Sequence, residues 1–353
     1  MASGRPEVAE VDSYSWERLP DMLHPRCYTT GAYHQGKTLP GCDKEGVATD
    51  LAEVYDFTMR EWAPLPNIPH RRAACTTAVV HGNKIYLIGG VKENQRPQDA
   101  VDVFDIERRE WDESFPPLPI GVVGPFIQLM EERIYVIAGT NKKEPACNQS
   151  VFLDVDEKVW NPTPPKPTPC YACGGYRRGT KIYIVGGRDG QTPIKSLEVY
   201  DTETQQWEKL APIPSIRVFY SVMGVEDEIF ALGGLVPMVG ICKIAEKYSI
   251  TDNKWTRLKD MLEIRSDASY AVIGGRLVVA GGLGGQQLQA MSTVECIAPR
   301  GKRFHRLPNL SKARSSMSSV TFEGKLVTMN GVGDGGIQKI VEVLSVKPKK
   351  EDN

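Results

Sequence analysis

Lys84-Ile-Tyr-Leu-Ile-Gly-Gly90 is the first of six near-copies of one segment along this chain. RIYVIAG follows at 133–139, KIYIVGG at 181–187, EIFALGG at 228–234, RLVVAGG at 276–282 and KLVTMNG at 325–331. Their last glycines are 49, 48, 47, 48 and 49 residues apart. A fixed period of this size marks a repeat architecture in which each unit is one supersecondary element. A second series, Trp16, Trp62, Trp111, Trp160, Trp207, Trp255 and Phe304, advances by 46, 49, 49, 47, 48 and 49. In a third, Tyr55, Phe104, Leu153, Tyr200, Tyr248 and Ile297 each lie seven residues before the Trp or Phe of their repeat.

The runs that end in glycine are β-branched and aromatic, and the Tyr-to-Trp segments carry turn residues between apolar ends, so both predict strands. Each unit then has strand a after the Trp, strand b ending at the glycines, strand c with the Tyr-like residue and strand d with the Trp, which is one blade of a β-propeller. The pairs Gly89-Gly90, Gly186-Gly187, Gly233-Gly234 and Gly281-Gly282 sit where strand b leaves the crowded centre of the ring. There a Cβ meets neighbouring backbone or forbids a positive φ. Tyr- and Trp-sized rings are expected to fill the space between neighbouring blades, because a lone four-stranded sheet cannot bury both faces. Seven units predict an all-β, seven-bladed propeller over 14–346, with flexible tails at 1–13 and 347–353.

The last repeat has its strands b and c, ending in KIVEVLSV, but no Trp follows it. The missing strand d is YSWERL at 14–19, which predicts pairing beside 339–346 and a ring closed by its own N-terminal strand. Blade 1 departs from the pattern. Trp16 to Gly41 is 25 residues where the other intervals are 27 or 28. Pro40 also removes a ladder donor, so the blade is expected to be irregular around 34–42.

The diglycine, the Tyr and the Trp at these spacings resemble the kelch repeat over residues 14–346, and within that family the chain looks most like the kelch domain-containing protein 8 group, which is built of kelch repeats alone. The repeats fill the chain, so no BTB or other adaptor domain is expected in it. The resemblance implies a non-catalytic protein-interaction scaffold.

Composition narrows the partners. A net charge of −1 and a pI near 6.6, with Lys and Arg scattered, give no field that would gather nucleic acid. The N-terminus MASGRPEVAEVD lacks the apolar stretch of a leader, and no run approaches a membrane span. A cytoplasmic monomer with no nucleic-acid or membrane partner is the expectation. Eight cysteines spread over 353 residues read as reduced thiols, and the sequons at Asn148 and Asn309 should go unmodified in that compartment.

Recognition is expected on the face that carries the d–a and b–c connections, because the interval from the second glycine to the Tyr-like residue varies from 13 to 15 while the c–d interval is fixed. Arginine recurs at the start of strand a as Arg26, Arg72, Arg217, Arg265 and Arg314, and is absent from blade 3 and from blade 4, where Cys170 stands. One reading has each guanidinium bonding loop carbonyls near the channel; the other is carboxylate capture. In kelch proteins that grip acidic peptides, arginines at this position, a residue just after the diglycine and a Ser before the strand-c acidic residue make the contacts. The resemblance carries those roles to Arg72, Arg217, Arg265 and Arg314, then Arg188, then Ser196 and Thr293. The other residues after the glycines, Val91, Leu235, Leu283 and Val332, are apolar, so a partner should offer apolar as well as acidic groups.

No catalytic set, cofactor or metal site is expected. Gly331-Val-Gly-Asp-Gly-Gly336 matches GxGxxG, but a strand follows where a dinucleotide fold needs a helix. Cys170-Tyr-Ala-Cys173 enters a strand, where residues three apart point to opposite faces, and the histidines His24, His34, His70, His81 and His305 are never at ligand spacing. Glu17, Asp21 and His24 miss the E-x-x-x-D-x-x-x-H of the iron-dependent specifier proteins, and sialidase boxes and the His/Tyr/Cys set of copper oxidases are missing. The alternative to a scaffold is a small-molecule enzyme or sugar-binding propeller using the central channel.

Overall fold

Strand b of each four-stranded sheet is buried on both sides, which explains its continuous apolar runs. The computed structural model describes residues 14–27, 32–33, 47–94, 96–141, 143–285 and 287–346. Among these the chain forms six four-stranded antiparallel sheets, a two-stranded one of Ala52–Asp56 with Glu61–Leu65, and four smaller sheets built on the b–c connections. The order within a complete sheet is a-b-c-d, as in Ser221–Val225, Glu228–Leu232, Ala245–Ser249 and Lys254–Arg257. The innermost strands of successive sheets lie against one another, and the core is a set of apolar clusters between blades. The irregular stretch expected at 34–42, and the tails at 1–13 and 347–353, lie outside the described residues.

The two ends of the chain share a sheet. Tyr14–Leu19 pairs antiparallel with Val341–Val346, in the register Tyr14↔Val346, Trp16↔Leu344 and Leu19↔Val341. Tyr14 Oη also donates to Ile273 O of the preceding blade at 2.8 Å.

The three sequence series have distinct mechanical roles. The Tyr-like residues are the buried rings: Tyr55, Tyr200 and Tyr248 are at most 1% exposed, and each faces the Trp of its own blade across the c–d hairpin, with centroids 5.1–5.3 Å apart. The tryptophans are less enclosed than expected because their indole edge reaches a neighbour's loop. Nε1 of Trp16, Trp62, Trp111, Trp160, Trp207 and Trp255 donates to the carbonyl of Pro308, Pro20, Pro66, Pro116, Pro164 and Ala211 respectively, at 2.8–3.0 Å. Each of these acceptors follows strand d of the preceding blade, so the indoles staple the ring together. The fixed seven-residue interval comes from a local turn: Asp56, Asp105, Asp154 and Asp201 accept backbone N–H groups two and three residues on, an Asx turn that sets the hairpin's length.

The glycine pair is required by the next blade. Gly233 and Gly234 have φ of +66° and +102°, and a Cβ on Gly233 would lie 2.4 Å from the carbonyl oxygen of Arg265. The second glycine of the pair bonds that same carbonyl, Gly234 N to Arg265 O at 2.8 Å, and Gly282 N to Arg314 O and Gly331 N to Arg26 O repeat the link. Beyond the glycines the b–c connection continues as a small hairpin in four blades, for example Leu235–Val236 with Gly240–Ile241. Gly331-to-Gly336 is one of these hairpins, with Val332 opposite Ile337, which accounts for its spacing without a nucleotide.

Candidate functional site

The recurrent arginines are where strand a begins, but they do not face a partner. Arg26, Arg72, Arg217, Arg265 and Arg314 are all 0–2% exposed, and each pairs with an acidic residue on strand c of its own blade. The pairs are Arg26–Glu53 at 2.8 Å, Arg72–Asp102, Arg217–Glu246 at 2.5 Å, Arg265–Glu295 at 2.7 Å and Arg314–Glu342 at 2.5 Å. Partner capture by Arg72, Arg217, Arg265 and Arg314 is therefore corrected: their carboxylates are internal. The guanidiniums also donate to strand-b and b–c carbonyls, Arg265 to Gly281 O and Thr293 O, and Arg314 to Asn330 O and Ile340 O. The second oxygen of the carboxylate then holds the d–a connection, as when Glu53 accepts Leu23 N, Glu295 accepts Leu262 N and Glu342 accepts Ser311 N. One ion pair thus ties three connections of a blade together. Burial lowers the pKa of Arg26, Arg72 and Arg265, and brings Arg314 down to about 10, while the facing carboxylates act in the opposite sense.

The signal for this arrangement was in the sequence, two residues before the Tyr-like position: Glu53, Asp102, Glu198, Glu246, Glu295 and Glu342. The exceptions follow the same rule. Blade 4 has Cys170 in place of arginine yet keeps Glu198, and Lys166 from the preceding d–a connection supplies the cation, 2.6 Å from Glu198 and fully buried. Blade 3 lacks both charges and has Val122 and Val151 instead. A buried charge without a partner costs several kcal/mol, so cation and anion are kept or lost together.

The remaining expected contacts divide. Thr293 is half-buried and occupied within the fold, donating to Glu263 Oε2 at 2.8 Å and accepting from Arg265 Nη2 at 3.1 Å. Ser196 has its Oγ buried with no hydrogen-bond partner. Arg188 is different. It is half-buried, with its guanidinium carbon 5.2 Å from the centroid of Tyr171 and 5.5 Å from that of Phe219, and it pairs with no carboxylate among the described residues. Its Nε and Nη2 are held by Gly190 O and Gln191 Oε1 at 2.9 and 2.8 Å, while Tyr171 Oη also bonds Gly190 O at 2.8 Å.

Phe219 was missed by sequence reading. It lies two residues after Arg217, at a point where the backbone is left-handed in successive blades, with φ of +49° at Ala172, +55° at Phe219, +52° at Asp267 and +50° at Ser316. A bulky side chain in that conformation costs of order 1 kcal/mol or more, and this one is 48% exposed. The hairpin beside it, bridged at Val218↔Leu235, carries Met238 and Val239 almost entirely in solvent. Together these residues form an aromatic, aliphatic and cationic patch on the d–a/b–c face of blades 4 and 5.

The left-handed Ala172 has a further effect. It breaks the strand alternation expected across Cys170 and Cys173 and turns the two thiols toward each other, so that their mutual hydrogen bond lowers the pKa of Cys170 and raises that of Cys173. The histidines that reach acidic groups do so singly: His70 Nδ1 lies 2.8 Å from Asp102 Oδ1. Among the described residues no group of three His, Cys, Asp or Glu is placed to hold a metal ion.

Comparison with known proteins agrees with the repeat. The KLHDC2/KLHL20/DRC7 Kelch-repeats domain matches residues 126–335, and the Kelch motif matches 72–113. Human Kelch-like protein 23 is 28% identical over 259 residues, 70% of this chain and 42% of that protein. Kelch-like protein 40 of Xenopus tropicalis is 27% identical over 183 residues, 51% of this chain and 29% of that protein. The chain thus spans less than half the length of these relatives. A solved structure titled "Structure of YjhT" superimposes with a TM-score of 0.59 at 16% identity, covering 94% of this chain and 99% of that one, which shows a shared fold. With the family match extending over more than half of the chain, and blade after blade built on the same glycines, Tyr and Trp, this protein belongs to the kelch-repeat family.

Proposed function

We propose that this protein is a non-catalytic scaffold, cytoplasmic and monomeric, that holds a protein or peptide partner on the face formed by the d–a and b–c connections. The observation that carries the proposal is the Tyr171–Arg188–Phe219 cluster: a cation that pairs with no carboxylate among the described residues, held between two rings, on the face that also carries exposed Met238 and Val239. An aromatic-flanked arginine beside aliphatic side chains has the composition of an interface hot spot. It suits a partner with acidic and apolar groups. The kelch-like relatives support a scaffold role.

The test is affinity capture from cytosol with wild type, Arg188→Ala and Phe219→Ser, read by mass spectrometry. Both variants should melt with the wild type and lose the same partners. Retention of every partner by both would remove this patch as the site.

A further inference from the structure

Among the described residues blade 3 is the blade without the buried cation–carboxylate pair, and the space left there is not filled. Val122 and Val151 are shorter than the arginine and glutamate that occupy these positions elsewhere. A hole of about 50 Å³ remains, lined by Leu118, Ile120, Val122, Val136, Ala138 and Val151. An apolar cavity of about 150 Å³ accepts benzene and stays dry; one a third of that size suits the branch of a Val or Leu and excludes a ring. A void lined by such side chains forfeits dispersion contacts that an inserted side chain would restore.

The hole adjoins a larger groove on the same face. Ile120, 41% exposed, and Gln149 line both. The groove, about 540 Å³, runs between the b–c connections of blades 2 and 3 and carries Lys92, Arg96, Lys143, Asp99 and Glu144. Lys92 is committed to Asp99 at 2.7 Å, and this contact holds the Asp99 carboxyl below its usual range. Arg96 and Lys143 are exposed and pair with no carboxylate among the described residues; Glu144 is the acidic group that opposes them. The lining therefore has a small positive excess around an apolar socket.

We infer that blade 3 is a second recognition point, which takes a Leu- or Val-sized side chain of an extended peptide into the socket left by the missing ion pair, with acidic neighbours of that residue on Arg96 and Lys143. This rests on the loop face being the partner-binding face, but not on the Arg188 patch, which lies on blades 4 and 5.

The probe is a fluorescein-labelled peptide, Gly-Asp-Glu-Asp-Leu-Asp-Glu-Asp-Gly, titrated with the full chain by fluorescence polarisation, and methyl-labelled protein observed by NMR. The methyls of Ile120, Val122 and Val151 should shift. Replacing the probe's Leu by Ala should weaken binding at least about tenfold, the discrimination an apolar pocket gives for a few carbon atoms. Val122→Leu and Val151→Leu, which fill the socket, should do the same while melting with the wild type. Arg96→Glu with Lys143→Glu, a surface pair that leaves the core intact, should abolish binding and its salt dependence. The place of the shifted methyls, on blade 3 or on blades 4 and 5, separates this site from the Arg188 patch. Equal affinity for the Leu and Ala probes, or methyl shifts confined to other blades, would overturn the inference, as would indifference to the double charge reversal.

Discussion

Lys166 tests the rule that buried charges in this ring come in pairs. In Lys166→Met the long apolar stem is kept and the ammonium is removed, so Glu198 loses its counter-charge while retaining Thr168 N at 3.2 Å and Thr168 Oγ1 at 2.5 Å. Stranding one member of a fully buried pair costs about 3–5 kcal/mol. Unfolding entropy is about 2.1 cal/mol/K per residue, or about 0.7 kcal/mol/K over roughly 330 residues, which makes the expected fall in Tm about 4–7 °C. Adding Glu198→Val reproduces the Val151 of blade 3 and removes the stranded charge, but it orphans Thr168 N at a cost of about 1–3 kcal/mol. The double variant should lie between the single variant and the wild type. Scanning calorimetry of the three proteins at neutral pH reads this directly. The pairing rule fails if Lys166→Met melts within about 1 °C of wild type, or if the double variant is no more stable than the single.

Two further substitutions separate backbone from side-chain effects. Gly233→Ala puts a Cβ 2.4 Å from the Arg265 carbonyl at φ +66°, whereas Gly179→Ala, at φ +59°, meets nothing within 4 Å; urea unfolding should show a loss of about 1 kcal/mol for Gly179→Ala and clearly more for Gly233→Ala, since only the latter must also break the blade-to-blade link. Trp207→Phe removes the donor to Pro164 O while keeping most of the ring, and should cost about 1 kcal/mol beyond the lost packing; Tyr200→Ala, which empties a site that is 1% exposed, should cost about 3–5 kcal/mol in the same assay.

The architecture was legible because it is written by repetition: glycines, Tyr and Trp recur at one period, and each serves an interface that exists once per blade. The closing strand could be placed from order alone, since a blade lacking its strand d and a strand d lacking its blade stand at opposite ends of the same series. The role of the arginines was harder to see. Arg217 and Glu246 are 29 residues apart, one ahead of strand a and the other in strand c with strand b between them, and nothing local in either segment signals the other. The resemblance to peptide-gripping relatives assigned those arginines to a partner, and burial reassigns them to the fold. The alternative reading, guanidiniums on loop carbonyls, agrees with the bonds of Arg265 and Arg314, but it did not anticipate the strand-c carboxylates. A charge repeated in nearly every blade more naturally serves something every blade needs.

On the proposed scaffold reading, recognition in a ring of similar units comes from what is not repeated. Arg188 has no equivalent after the other glycine pairs, where Val91, Leu235, Leu283 and Val332 stand, and Phe219 is the aromatic member of a series otherwise made of small or polar residues at Ala172, Asp267 and Ser316. Blade 3 is irregular in the opposite sense, lacking a pair that the scaffold elsewhere retains, and the lack leaves an apolar socket open to the same face. The repeated ion pairs fix the connections rigidly enough that such local departures have defined positions. A partner that touches both places must span blades 3 to 5 and present an apolar residue at one end and acidic groups along its length.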